Sequence, residues 1–287
     1  MKIADKKEVR INNLKSGITF EKTGGGDWKV WDRFISVDKQ KVYYIGNVCD
    51  TCKFFFTRQS ESTVLSINQE NLINSLNEGS FDFVKENLRN LGEVIPNGNY
   101  LVLKTTIKPE SVNKDSQNDY FKSEQKETWR EYDNEEAIKS NDQFRNYYRE
   151  QLVDFGKVKQ DHKEAFFNFF IPLNNFGEFN EERVDYYKET ISKGKLPFAV
   201  SVAVLDVKTS EEYPIINGKE VEPEFGTHWC LANYIVDGHH KIKAASELNK
   251  EIGLITFISR DESWRLIEDM VSKIRGEKKK SWKFWKR

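Results

Sequence analysis

Apolar positions along this chain follow two different periods, and the switch between them marks out the elements. Between residues 1 and 60 the period is two. Trp28-Lys-Val-Trp-Asp-Arg-Phe-Ile-Ser-Val and Lys41-Val-Tyr-Tyr-Ile alternate apolar and polar residues, the pattern of half-buried short strands. Thr23-Gly-Gly-Gly-Asp27 reads as a turn. It has the glycines of a phosphate loop but neither the following Lys-Ser/Thr nor the following helix. The period then becomes helical: Ser66 is placed to cap a helix over 67–76, and 81–91 has apolar residues at helical spacing before Gly92. Pro96-Asn-Gly-Asn is a turn, and Tyr100-Leu-Val-Leu-Lys-Thr-Thr-Ile is a strand.

Residues 109–140 lose the apolar pattern and read as a linker or an exposed helical excursion. A helix is expected from about Asn141 to Val153, with Phe144, Tyr147, Tyr148 and Leu152 as its packing stripe. From Phe166 the elements sharpen. Phe166-Phe-Asn-Phe-Phe-Ile-Pro-Leu is a strand. Asn180-Glu-Glu-Arg183 opens a helix with acids suited to its dipole, and Gly194 closes it. Pro197-Phe-Ala-Val-Ser-Val-Ala-Val-Leu is nearly continuous in apolar residues, so it is expected to be buried on both faces. After a polar loop at 208–226 come a strand at 229–236, a helix of about ten residues, a strand at 253–258 and an amphipathic helix. No internal repeat stands out.

Composition narrows the class. The 287 residues are 38% hydrophobic and 13% aromatic, enough for a real core. They are also 32% charged with a net charge of -1, so no global field selects nucleic acid or an anionic membrane. No run approaches the roughly 18 apolar residues of a membrane span, and the charged start Met-Lys-Ile-Ala-Asp-Lys-Lys-Glu has no apolar signal core. Three cysteines, an odd number, argue against a secreted disulfide scaffold and for reduced thiols in the cytoplasm.

The candidate chemistry concentrates in Asn233-Tyr-Ile-Val-Asp237-Gly238-His239-His240-Lys241, where an apolar strand runs straight into a helix. Gly238 permits positive φ and close approach. Asp237 is placed to cap the helix. The first N–H groups of a helix are unpaired and sit at its positive end, which favours phosphate. His240 and Lys241 add donors. Three readings stay open at this point: an anion or nucleotide site, a structural turn, and a metal site using His239 or His240.

The segment resembles the ParB/sulfiredoxin-like superfamily, whose members carry Gly-x-x-Arg or Asp-Gly-His-His-Arg at this turn. Ile171-Pro-Leu, the helix from Glu181-Glu-Arg-Val, Gly194-Lys-Leu-Pro197-Phe-Ala-Val, Ala244-Ala245 and the strand at 253–258 follow the same order, over roughly residues 166–260. Members include CTP-hydrolysing partition proteins, ATP-dependent sulfinic acid reductases and a free-serine kinase. The resemblance implies phosphate contacts from the backbone at Gly238 and the side chains of His240 and Lys241, with Asp237 and His239 as the catalytic candidates. This chain departs from it: His239 stands where sulfiredoxin has its reactive Cys, no DNA-reading helix-turn-helix follows, and Lys241 replaces the Arg fork with a point charge.

Cys49-Asp-Thr-Cys52 is a Cys-x₂-Cys knuckle, and His228-Trp-Cys230 is the one pair able to complete a tetrahedral zinc site with it. Ordinary reduced cysteines and a dithiol redox pair are the other readings. His162 reads as a solvated surface residue. The tail Lys278–Arg287 interleaves six cations with Trp282, Phe284 and Trp285, a pattern that serves a membrane surface, single-stranded nucleic acid or simple packing.

The expectation is therefore an α+β protein: a β-rich N-terminal part (1–108), a polar and helical connection (109–165), a ParB/sulfiredoxin-like unit (166–260) and a C-terminal helix with a basic tail (261–287). Its expected function is nucleotide or phosphate binding, with ATP, ADP or CTP and Mg²⁺ as cofactors, in a phosphotransferase or NTP hydrolase. Nucleic acid is not an expected partner, and no transmembrane segment is expected. The rival expectation is a non-enzymatic interaction module held by structural zinc.

Overall fold

The computed structural model describes the chain except residues 13–15, 26–27, 62–66, 68, 114–115, 130–145, 158–162, 175–178, 211–214, 217–218, 264–265 and 278–287. The proposed Ser66 cap, Phe144, His162 and the basic tail lie outside the described residues. The protein is α+β with a β-rich N-terminal part.

A nine-stranded mixed sheet is its centre. The strand order is β1 (Lys2–Ile11), β6 (Gly98–Ile107), β15 (Ile252–Ser259), β11 (Phe198–Thr209), β14 (Thr227–Asp237), β10 (Lys163–Pro172), β8 (Tyr147–Arg149) and β7 (Glu110–Val112). β9 (Val153–Lys157) also pairs with β10. The β11–β15 and β10–β14 pairs are parallel and the others antiparallel. A second, antiparallel sheet contains β2 (Ile18–Gly25), β3 (Trp28–Val37), β4 (Gln40–Asn47) and β5 (Thr57–Arg58). The short strands β12 (Ile215–Ile216) and β13 (Lys219–Glu220) pair within the 208–226 loop. The helices are α1 (Glu70–Glu78), α2 (Lys85–Leu91), α3 (Glu124–Thr128), α4 (Glu181–Ser192), α5 (His239–Leu248) and α6 (Ile267–Ile274).

The continuous apolar run of β11 is buried on both faces, and the two sides of the strand explain why. Val200, Val202 and Val204 pack, with Ala232 and Tyr234, against Ile35, Val37, Val42 and Ile45 of the small sheet and against Leu72 of α1 and Leu91 of α2. Ala199 faces the other way, toward Val184 and Ile191 of α4 and Ile242 and Ala245 of α5. Farther along that second face, Ala203 and Leu205 meet Met270 and Val271 of α6. The result is three layers. Each fully buried Val or Ile stabilises by roughly 1.5–3 kcal/mol, so the large sheet between its two covers holds most of the hydrophobic driving force. Among the described residues, no helix is long and apolar enough to cross a membrane.

The structure corrects two expectations. The helix expected over 141–153 is extended where it is described: Tyr147–Arg149 is β8 and Val153 begins β9. Tyr147 and Tyr148 point to opposite sides of a strand, into separate apolar clusters, and pairing with β10 outweighs the helical spacing. The segment at 109–140 is not an exposed linker where it is described. It supplies β7 and α3 and buries Tyr120 completely among Phe54, Phe167 and Phe169. The large sheet also takes β1 and β6 from the N-terminal part, so strands from both ends of the chain form one layer.

Candidate functional site

The turn at the end of β14 forms as its sequence implies. Gly238 has φ +93°, and a Cβ there would come within 2.8 Å of the Ala199 Cα and Cβ atoms, so only glycine fits between β14 and β11. α5 starts at the next residue. Asp237 does not cap it: the carboxylate lies 3.6 Å from the Lys241 ammonium instead, one helical turn on. Among the described residues, the backbone N–H groups of His239, His240 and Lys241 have no acceptor, and the first intrahelical bond is from Ile242 N–H to Gly238 C=O. These three N–H groups therefore remain at the positive end of the helix.

The side chains depart from the sequence expectation. Lys241 is buried and points inward, donating to the Phe198 carbonyl at 2.9 Å. Burial lowers its pKa, against the opposing pull of Asp237. It is not available to an anion outside, and its expected role as a phosphate cation is corrected. His240 is also buried. Its Nε2 accepts the Asn180 backbone N–H at 3.1 Å. Because a backbone amide can only donate, the neutral ring must carry its hydrogen on Nδ1. Burial, reinforced by His239 and Arg183, lowers the pKa of His240 to about 4. His240 thus offers an N–H donor rather than a positive charge. Burial likewise lowers the pKa of His239, whose ring lies 4.2 Å from that of His240 and 5.8 Å from that of Phe179, centroid to centroid.

The bond from Asn180 to His240 joins two helix starts. Asn180 is the N-cap of α4: its side chain accepts from Arg183 N–H at 3.0 Å, while its own N–H goes to His240. Arg183, exposed on the first turn of α4, is the cation that sequence reasoning missed. It lies near enough for its charge to register at His239, His240, Lys241 and Tyr187. The gathered groups are Asp237, Gly238, His239, His240 and Arg183. Lys241 acts from beneath as a brace between Asp237 and the Phe198 carbonyl.

The four expected zinc ligands do not form a zinc site. Cys49 and Cys52 are joined in a disulfide, which also corrects the expectation of three reduced thiols; Cys230 is the free cysteine and is buried. His228, fully buried, has both ring nitrogens engaged. Nε2 lies 3.1 Å from the Phe225 carbonyl and 3.0 Å from the Thr128 hydroxyl, and Nδ1 lies 2.9 Å from Tyr120 Oη; with the hydrogen on Nε2, facing the carbonyl, Nδ1 accepts from Tyr120 O–H. Its lone pair is already used, and burial lowers its pKa to about 4. Burial raises the pKa of the Cys230 thiol, whose contact is Tyr120 Oη at 3.7 Å. Among the described residues, no cluster of three or more His, Cys, Asp or Glu is placed to hold a metal. Trp129 donates to the Thr51 carbonyl inside the knuckle at 3.0 Å and packs edge-on to His228.

No protein-family model, no curated protein and no solved structure matches this chain.

Proposed function

We propose that the Gly238 turn binds a phosphate-bearing ligand, with the nucleotides ATP, ADP and CTP the first class to test. One observation carries this reading: among the described residues, three successive backbone N–H groups at the start of α5 lack acceptors, and the exposed Arg183 guanidinium of α4 is near enough for its charge to register there. Arg183 offers, from a different element, the bidentate fork that ParB/sulfiredoxin-like proteins carry at the position of Lys241. Neutral His240 adds its Nδ1–H donor. The resemblance of Asp237–Lys241 and its flanking strands to ParB/sulfiredoxin-like proteins supports the same ligand class. If transfer or hydrolysis occurs, Asp237 is the carboxylate at the turn to hold Mg²⁺ or accept a proton, with His239 beside it.

A second reading is favoured by the inward side chains. Lys241 and His240 both serve internal contacts, as they would in a structural turn of a non-enzymatic interaction module. Calorimetric titration with ATP, ADP, CTP and inorganic phosphate, with and without Mg²⁺, separates the two. The phosphate reading expects saturable binding that Arg183→Gln weakens about tenfold or more, the usual worth of a hydrogen bond to a charged group. No heat with any of the four, or unchanged affinity in Arg183→Gln, leaves the structural reading standing.

A further inference from the structure

A cavity lies on the side of the large sheet opposite α4 and α5, where the small sheet and the disulfide knuckle meet β11. Its volume is about 370 Å³, within the range of small-molecule sites. Its walls carry charge of both signs: Lys22 and Arg33 from the small sheet, Asp50 from the knuckle, Asp206 and Lys208 from β11, and Glu262 from the turn after β15.

The cations are already engaged. Arg33 grips both oxygens of Asp206, at 2.9 and 2.8 Å, and donates to the Glu262 carbonyl at 2.8 Å and the Asn47 carbonyl at 3.0 Å. Lys208 donates to the carbonyls of Asn47 and Cys49. Lys22 pairs with Glu262 Oε1 at 3.0 Å and donates to the Asp261 carbonyl. The acceptors are not all engaged. Glu262 has a side chain only 8% exposed, and its Oε2 is buried with no hydrogen-bond partner among the described residues. The Asp50 carboxylate, which is exposed and feels the charge of Lys208, has no ion pair or hydrogen bond there either. A buried carboxylate oxygen without a donor is costly, so the vacant role is that of a donor, and a positive one.

We propose that this cavity binds a small organic amine, its ammonium group donating to Glu262 and Asp50. An ammonium has three hydrogens and is satisfied by a few acceptors. A calcium ion needs six to eight oxygen ligands, and the described residues place no three-carboxylate cluster here. A phosphate would meet two carboxylates with spare lone pairs and cations already spoken for. Burial raises the pKa of Glu262 against the opposing pull of Lys22 and Arg33, and that of Asp50 against the opposing pull of Lys208. The site is independent of the Gly238 turn.

Calorimetric titration with putrescine and spermidine tests this, with Ca²⁺, Mg²⁺ and inorganic phosphate as comparisons. The expected result is one diamine per chain, weakened tenfold or more by Glu262→Gln and severalfold by Asp50→Asn, with Arg183→Gln binding as the wild type does. Glu262→Gln keeps the shape of the side chain, and circular dichroism confirms that the variant is folded. Absence of amine binding, a wild-type affinity in Glu262→Gln, or displacement of the amine by Ca²⁺ or Mg²⁺ overturns the proposal.

Discussion

The two faces of the large sheet bury polar groups in different ways. On the helix face, Ser201, Asn233, Thr256 and Asn168 form a belt across four adjacent strands, between the apolar cluster under α4 and α5 and the one under α6. Every member is neutral and bonded. Asn233 donates to Asn168 Oδ1 at 2.7 Å and accepts from Thr256 at 3.1 Å and Ser201 at 3.3 Å; Asn168 donates onward to Glu150 at 2.8 Å. On the opposite face the buried polar groups include a set of ions, Arg33, Asp206 and Lys208. That set bonds a strand of the small sheet to a strand of the large one, and it ends in an unpartnered Glu262 oxygen. A belt of neutral groups that are all bonded, ending on a Glu150 carboxylate already paired with the N-terminal ammonium at 3.0 Å, specifies packing and asks nothing of solvent or ligand. An ionic network with one open acceptor is unfinished, and that distinguishes a candidate site from an architectural one.

The sharpest way to break this contrast is to remove one ion. Arg33→Met leaves Asp206 charged and buried, so stability in urea should fall by about 3–5 kcal/mol. Adding Asp206→Leu should recover part of that loss, although the carbonyls of Asn47 and Glu262 stay without their donor. A loss below about 1 kcal/mol in Arg33→Met would mean that water reaches the pair, and the cavity would lose one of its walls.

His228, on the ionic face yet neutral, gives the next largest effect. Burial takes its pKa from 6.5 to about 4. A depressed native value means that its contribution to stability is present above 6.5 and lost as pH falls toward 4, up to roughly 3 kcal/mol. His240, lowered to about 4 mainly by burial, adds a slope of the same sign. His239, also lowered by burial, adds to it; urea melts from pH 7.5 to 4 should therefore show falling stability, and His228→Gln should remove a clear part of the slope. An unchanged slope would place the acid sensitivity elsewhere. Asn233→Ala comes next, at about 1–3 kcal/mol, because it strands the partners of a dry network. Its cost should be constant across the same pH range, which is the contrast with His228.

The sequence made one half of this comparison easier to read than the other. The apolar run at 197–205, the Asn180 cap and the strand-Gly238-helix joint were legible because period and local turn chemistry determine them. Lys241 was misread as an outward cation, yet a cue was present. It stands three and four residues before Ala244 and Ala245, on the buried stripe, and four after Asp237. Arg183 carried no such cue: its place beside the histidines depends on two helices packing together. The Cys-x₂-Cys knuckle reads the same for zinc and for a disulfide, and the decision rested on whether His228 kept a free lone pair, which Tyr120 uses. The ionic face was illegible for a general reason. Arg33, Asp206 and Glu262 are far apart in the chain, and charged residues on strands read locally as solvent-facing.

The smallest effect is the most discriminating, because its sign is unusual. Glu262→Gln removes a partly buried carboxylate whose pKa is raised by burial, against the pull of Lys22 and Arg33. With the native value above the unfolded one, the stability this group contributes is present in acid and lost as pH rises through the native value. The variant should therefore match the wild type at low pH and be more stable at neutral pH, by no more than about 1 kcal/mol given the partial exposure of its Lys22 partner. Differential denaturation at pH 4 and pH 7.5 reads this directly. Adding putrescine should then reverse the order, since only the wild-type carboxylate gains from an ammonium partner. If the variant is instead less stable at neutral pH, the Lys22 pair outweighs burial, Glu262 already has its counter-charge, and the ionic face is as complete as the neutral belt.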